Sequence, residues 1–293
     1  MEEIPKRNVL TLSQKLMVFT LSMSLYGLSS LAEELLPALR LGPLVLSAEY
    51  FAFVPLTLCM LFHPLYTAAG AATGGLLFGG VLVGQFGGIG ELEQFIALAL
   101  GLFVAGSLVK NPKSRKQISI AALGGAVIYH GIGSATDIQQ VLLGAGELRA
   151  VPGLAEILII AEIGSFMSAI LVSSLVFGLL PVLYLVPYLH GKIEPALGLY
   201  ARGQKQPLAE KPLPNTKVIA AAIALVGLAF VSDFLYEAGI NLEWQANFAE
   251  ASGNWVLWLN LIAAAVVAGM TMTLMAKHKH RSLTTHSHED RFL

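Results

Sequence analysis

This sequence has one cysteine, few charged residues and no nucleotide-binding motif, and each shortage excludes a class of protein. The single cysteine, Cys59, excludes a disulfide framework or a cysteine-based zinc site within one chain. It lies in an apolar run, where a small buried residue is expected. Charged residues make up only 13% of the chain, about half the share in an average soluble domain. No stretch has the Walker A pattern, so an ATPase would have to be a separate chain.

Two further absences concern partners and targeting. No basic face carrying aromatic residues is recognisable, so a nucleic-acid partner is not expected. The polar start MEEIPKRNVLTLSQK has no short apolar region before a cleavage site, so a cleavable signal peptide is not expected. We predict no cofactor.

The chain has long hydrophobic runs instead. Hydrophobic residues make up 55% of the 293 residues, and many runs approach the roughly 20 residues that cross a bilayer as a helix. Apolar and polar residues do not alternate, which excludes a membrane β-barrel. We therefore predict an all-α, polytopic membrane protein. Its eight predicted helices cover about residues 15–38, 44–62, 65–84, 92–109, 118–141, 153–189, 217–236 and 254–276.

Glycine and proline mark two of these helices. In the third helix, small residues recur every four positions, first at Gly70 and Gly74 and then further along the helix. This spacing predicts close helix packing or, alternatively, a glycine-lined passage. In the sixth, Pro181 and Pro187 predict a kink or an end, with the last part at the membrane interface.

Basic residues predict the orientation. All but two of the 18 lysines and arginines fall before the first span, after the fourth, after the sixth or after the eighth. Because basic residues favour the cytoplasmic side, these segments and both termini are expected in the cytoplasm, with the protein in the inner (cytoplasmic) membrane. The exceptions, Arg40 and Arg149, fall on the outer side.

The longest polar link divides the chain. We predict a six-helix substrate-binding body at 1–190, a cytoplasmic linker at 191–216, a two-helix C-terminal appendix at 217–276 and a cytoplasmic tail at 277–293. The tail contains two His-x-His pairs, which favour either weak divalent-metal binding or a solvated segment. Those histidines are His278, His280, His286 and His288.

Acidic residues of the body gather towards the opposite, outer leaflet. Carboxylates are costly inside a bilayer and usually face a partner, a cavity or water. With nearby aromatic residues and a mid-helix histidine they predict a small outward-facing cavity for a cationic, metal-bearing or hydrogen-bond-rich molecule. The predicted binding residues are Glu33, Glu34, Glu49, Tyr50, Tyr129, His130, Asp137, Glu156 and Glu162. Whether this cavity holds a metal is left open.

The segment LYGLSSLAEELLPALRLGPLVLSAEYFAFVPLTLCMLFHPLYTAAGAATGGLLFGG resembles the substrate-binding S component of an energy-coupling-factor (ECF) transporter. It has the same order of a first helix, an outer loop with Gly42 and Pro43, an apolar second helix and a Gly/Ala-rich third helix. The resemblance covers roughly residues 15–190 and implies six helices that capture a vitamin-like or metal nutrient from outside.

The resemblance also implies partners. They are a membrane coupling subunit, which docks on small residues of the first helix, and two cytoplasmic ATPases, with the substrate and membrane lipid as the other contacts. The two C-terminal helices resemble the accessory subunit of the cobalt and nickel branch. The chain starts Met1-Glu2 and lacks the Met-His start that this branch uses, so no nickel or cobalt site is predicted.

Three other functions stay open. A proton- or ion-coupled secondary transporter would also place carboxylates and histidine within helices. An intramembrane hydrolase is suggested by Glu33 and Glu34 with Arg40, but five residues separate Glu34 from Arg40, and His63 is expected at the opposite membrane face. A scaffold would bind no small molecule. The favoured prediction is a transport subunit that is not an enzyme.

Overall fold

The computed structural model describes residues 10–34, 39–41, 44–46, 49–82, 86, 88–143, 153–202 and 216–237. This part of the chain is mostly helical, as predicted, and it also contains one short hairpin that the sequence did not predict. The α-helices are α1 (Leu12–Glu34), α2 (Phe53–Leu61), α3 (Pro64–Gly74), α4 (Glu91–Leu108), α5 (Arg115–Leu143), α6 (Leu154–Ala169), α7 (Leu180–Leu189) and α8 (Thr216–Glu237). The predicted helix at 254–276 and the tail at 277–293 lie outside the described residues.

Five helical stretches are long and apolar enough to cross a membrane, within the described residues. They are Leu12–Glu33, Gly88–Leu108, Arg115–Leu143, Leu154–Leu189 and Thr216–Tyr236. These helices suggest a membrane protein by length and composition. Large apolar side chains on them face outward: Ile160 is 69% exposed and Ile223 is 67% exposed.

The predicted start of the second helix, near residue 44, is wrong. Strand β1 (Leu39–Leu41) pairs antiparallel with β2 (Leu44–Leu46), with Leu39 opposite Leu46. Helix α2 therefore begins at Phe53 rather than near residue 44. Apolar residues alone do not distinguish a short strand from the first turns of a helix, which is why the hairpin was missed.

The long sixth run stays helical through its prolines. A π-helix at Ile170–Leu179 joins α6 to α7, so the helical path runs from Leu154 to Leu189. Pro181 stands in the first turn of α7, directly after the wide turns, and does not end the helix. A proline inside a continuous helix removes one backbone donor, and here it directly follows the π-helical turns, where the path departs from α-helical geometry. The helix ends two residues after Pro187.

Helices α1 and α3 pack at very close range. A Cβ atom at Gly70 would overlap the carbonyl oxygen of Phe19, and one at Gly74 would overlap the carbonyl oxygen of Met23. Ser22, itself buried on α1, donates a 2.8 Å hydrogen bond to the carbonyl oxygen of Thr67. The predicted close packing of this glycine-rich helix is confirmed.

One end of the bundle collects basic residues, and we call it the basic end. Arg202 is buried there and joins the last turns of α2 and α4. Its Nη1 donates to the carbonyl oxygens of Met60 (3.0 Å), Gly106 (2.8 Å) and Val109 (3.1 Å), and its Nη2 donates to Phe62 (2.7 Å). The final carbonyls of a helix have no intrahelical donor and carry partial negative charge, so a buried guanidinium satisfies both helix ends.

The first part of the predicted linker belongs to this end. Leu197 and Leu199 are buried beside Val18 of α1, and Gln14 Nε2 donates 2.8 Å to the carbonyl oxygen of Gly198. The segment up to Arg202 therefore packs on the bundle, and residues 203–215 lie outside the described residues.

Helix α8 packs on the body through α4 and α5. Its Ala229 is fully buried beside Ile96 and Ala97 of α4. Near its end, Asp233 accepts a 2.8 Å hydrogen bond from Gln140 Nε2 of α5. The first helix of the predicted appendix is thus an integral neighbour of the body.

Candidate functional site

The opposite end of the bundle, which we call the acidic end, contains a small cavity. From Glu33 and Glu49 at this end the cavity reaches inward between α1, the first turn of α2 and the middle of α4 and of α5. The cavity volume is about 40 Å³, above the roughly 10–15 Å³ that a cavity needs to hold one water molecule. Its polar lining consists of Tyr26 and Glu33 of α1, Glu49, Tyr129 and His130 of α5, and Ser174 of the π-helix. Apolar side chains such as Leu56, Leu98 and Leu102 complete the wall.

The segment around Glu49 is positioned by contacts with two elements, the π-helix and α1. Its backbone N–H donates a 3.2 Å hydrogen bond to Ser173 Oγ of the π-helix. The next residue, Tyr50, packs edge-on against Phe177 with ring centroids 5.0 Å apart. The backbone N–H of Phe51 donates to Glu33 Oε1 at 2.8 Å, which ties the segment to α1. These contacts direct the Glu49 carboxyl group into the cavity.

The electrostatics of the cavity centre on Glu49, which precedes α2 and lies outside the five candidate membrane helices. Burial, and then the nearby negative charge of Glu33, raise the pKa of Glu49 to about 7. A hydrogen bond from the Tyr129 hydroxyl to the Glu49 carboxyl group acts in the opposite direction. Near neutral pH this group therefore exists in both protonation states. No lysine or arginine occurs among the described lining residues.

The structure brings together four of the nine predicted binding residues, Glu33, Glu49, Tyr129 and His130. Tyr50 packs beside them. The ring of His130 lies 4.8 Å from the ring of Tyr129. The sequence prediction omitted Tyr26 from the set, although Tyr26 and Glu33 are seven residues apart on one face of α1 and both line the cavity.

The other predicted residues lie outside the cavity. Asp137 is exposed near the end of α5, and Glu156 is exposed on α6. Glu162 is half-buried and accepts a 2.7 Å hydrogen bond from Ser134 Oγ. The side chain of Glu34 lies outside the described residues.

The groups that suggested an intramembrane hydrolase lie at different ends. His63 stands between α2 and α3, with its ring centroid 4.7 Å from that of Tyr66. The ammonium group of Lys15 lies over the same Tyr66 ring, so His63 is at the basic end. Glu33 lines the cavity at the acidic end. The separation expected from the sequence agrees with this arrangement.

A family model matches residues 17–284, which is most of the chain. The protein belongs to a family of unknown function (DUF8171). The match starts within α1 and runs through α8 and beyond it, so the family takes in the body, the linker and both predicted C-terminal helices. No curated protein and no solved structure matches the chain. The function must therefore be argued from the cavity and its surroundings.

Proposed function

We propose that this family member is a polytopic protein of the cytoplasmic membrane, with its basic end in the cytoplasm and its acidic end outside. The five long apolar helices and the outward-facing isoleucines, such as Ile160 and Ile223, support contact with lipid. The basic end carries Lys15 and Arg202 together with the loop between α4 and α5, and basic residues favour the cytoplasmic side.

We further propose that the cavity captures a small cationic solute from outside. The observation that carries this proposal is the Glu49 carboxyl group, which is buried in the cavity, faces a second acid and is bonded by Tyr129. A bound cation would offset the cost of burying negative charge. The volume of about 40 Å³ suits a small cation, and a vitamin-sized ligand would require the helices to separate.

In this proposal the chain is a substrate-binding transport subunit and not an enzyme. A separate membrane coupling protein and two cytoplasmic ATPases would drive release into the cell, as the resemblance to ECF S components implies. The bound ligand is identified by denaturing the purified protein and analysing the released small molecules by mass spectrometry. A protein that releases no stoichiometric small cation would contradict the capture proposal.

The first prediction concerns Glu49. Glu49→Gln keeps the size of the side chain but removes its negative charge, so affinity for the cation released from the protein should fall at least about tenfold, as expected when a buried charged partner is lost. Isothermal titration of the protein in lipid nanodiscs measures this affinity. The matched control is Glu156→Gln, because Glu156 is exposed on α6 and should bind as the wild type does. Equal affinities in all three proteins would eliminate the cavity as the binding site.

The second prediction concerns pH. Because the pKa of Glu49 is raised to about 7, this carboxyl group gains a proton as pH falls through that value. Affinity for the cation should therefore be highest above pH 7 and should decline below it. Titrations at several pH values test this, and Glu49→Gln should remove most of the dependence. A wild-type affinity that is constant across neutral pH would argue against Glu49 as the cation's partner.

A proton-coupled secondary transporter is the second candidate, because Tyr129 bonds Glu49 and a further group of acids lies nearby. Reconstitution separates the two. Proteoliposomes that contain only this chain should accumulate the cation in response to a proton gradient if it is a secondary transporter. A substrate-binding subunit should bind the cation but not accumulate it without its partners.

A further inference from the structure

A second group of carboxyl groups lies at the acidic end, outside the cavity, where α4, α5, α6 and α8 approach one another. Its members are Glu93 on α4, Asp137 on α5, Glu162 on α6 and Asp233 on α8. Glu93 and Asp233 are its deeply buried members, with 9% and 7% of their surfaces exposed. Asp137, by contrast, reaches solvent.

Hydrogen bonds from α5 hold both buried groups. Gln140 Nε2 donates to Asp233 Oδ1 at 2.8 Å. The side chain of Thr136 is a hydrogen-bond partner of the Glu93 carboxyl group. Helix α5 therefore holds one side-chain oxygen of each acid.

The second oxygen of each buried acid has no hydrogen-bond partner among the described residues. These atoms are Glu93 Oε1 and Asp233 Oδ2, and both are enclosed by protein. Glu93 Oε1 points towards α5, where a Cβ atom at Gly133 would lie 3.9 Å from it. A buried acceptor without a donor costs about 1–3 kcal/mol, so each of these two atoms indicates a missing donor.

The charges that face this pair have one sign. Asp137 and Asp233 act on Glu93 from α5 and α8, and Glu91 acts from its own helix. Glu162 of α6 and Asp233 act on Asp137. Two tyrosines lie nearby. The charge of Glu93 acts on Tyr129 of α5, and the ring of Tyr236 of α8 lies close to Gly90. No lysine, arginine or histidine of the described residues is among the influences on Glu93.

We propose that Glu93, which faces the charge of Asp233, is a proton-binding site that is loaded when α8 is docked on α4 and α5. A proton supplies what the geometry lacks, because a protonated carboxyl group gains an O–H donor and loses its negative charge. The proton comes from a hydronium ion, which leaves as water, and the exposed carboxyl group of Asp137 provides a route from solvent. None of these acids lines the cavity, so the site is separate from the one proposed to bind the cation.

Infrared difference spectroscopy of the full chain in lipid nanodiscs tests the site directly, since a protonated carboxyl group has a C=O stretch distinct from that of a carboxylate. The measurement uses a Glu49→Gln background, because the Glu49 carboxyl group, with a pKa of about 7, is itself partly protonated at neutral pH. In this background we expect a carboxylic-acid signal at neutral pH that disappears in alkaline buffer. Glu93→Gln and Asp233→Asn should each reduce it by about half or more, and the exposed Glu156→Gln should leave it unchanged. A background protein without this signal, or variants that retain it in full, would overturn the proposal.

Thermal denaturation gives a second test, and its main measurement is made on the wild type, so it does not depend on variants that fold poorly. The loaded folded state binds more protons than the unfolded state, so the melting temperature of the wild type should fall as pH rises, and the dependence should flatten in Glu93→Gln. The measurement is repeated with sodium chloride and with choline chloride. Stabilisation by sodium together with the lack of a carboxylic-acid signal would identify a sodium site and overturn the proton assignment.

Discussion

We expect Arg202→Ala to destabilise the bundle severely, by at least about 3 kcal/mol, because a buried guanidinium that bonds four carbonyl oxygens is lost. The carbonyl groups at the ends of α2 and α4 would remain buried without donors. Those ends carry the partial negative charge of their helices, so the loss of a cation adds an electrostatic cost. The expected result is a much lower melting temperature in detergent or nanodiscs and a low yield of folded protein.

Two variants make this prediction sharp. Arg115→Ala removes the same charge from an exposed position at the start of α5. It should change the free energy of unfolding by no more than about 0.5 kcal/mol, so the melting temperature should stay close to that of the wild type. Arg202→Lys retains the charge, but a single ammonium group cannot reach carbonyls on two helices, so an intermediate loss is expected. If Arg202→Ala is as stable as Arg115→Ala, the buried capping role of Arg202 is wrong.

Gly74→Ala is the second substitution for which we expect a large effect. The added methyl group would overlap the carbonyl oxygen of Met23, a backbone atom that cannot move without displacing α1. Overpacking of this kind typically costs about 1–3 kcal/mol. Gly70→Ala should act in the same way through Phe19, and the double variant should separate α1 from α3.

The control for this prediction is a glycine substitution on α5 that should not destabilise the protein. A Cβ atom at Gly131 of α5 has no heavy atom within 4 Å, so Gly131→Ala should be neutral or stabilising, by up to about 1 kcal/mol, since alanine favours helix more than glycine does. Melting temperatures of the three variants in one membrane mimic provide the comparison. Gly74→Ala and Gly131→Ala shifting in the same direction would show that α1 and α3 are not in close contact at this point.

Much of the helical fold follows from hydrophobic runs and small residues. The helix predicted at 92–109 corresponds to α4 (Glu91–Leu108), and that at 217–236 to α8 (Thr216–Glu237), because runs of this length can hardly be anything but helices. Cys59 is fully buried, as its apolar surroundings predicted. The hairpin at Leu39–Leu46 could not be predicted in this way, because its strands depend on pairing with each other.

The candidate site was predictable in part. Tyr26 and Glu33 are seven residues apart on α1 and both line the cavity, whereas His130 lines it and Asp137, seven residues further along α5, does not. Spacing reports which face of a helix a residue occupies and not which neighbour that face meets. Arg202 was counted with the basic residues of a linker, and nothing in its local sequence indicates a buried guanidinium.

The sequence alone determined that this chain is helical, that its helices are long and apolar, and that its basic and acidic residues separate along the chain. These properties belong to single segments, so periodicity, length and charge are enough to reveal them. Only the tertiary structure decided which acids share a cavity, which lie beside α8, and which arginine joins the ends of α2 and α4. Those relations link residues far apart in the chain, up to 142 positions between Met60 and Arg202, and depend on how helices pack in three dimensions.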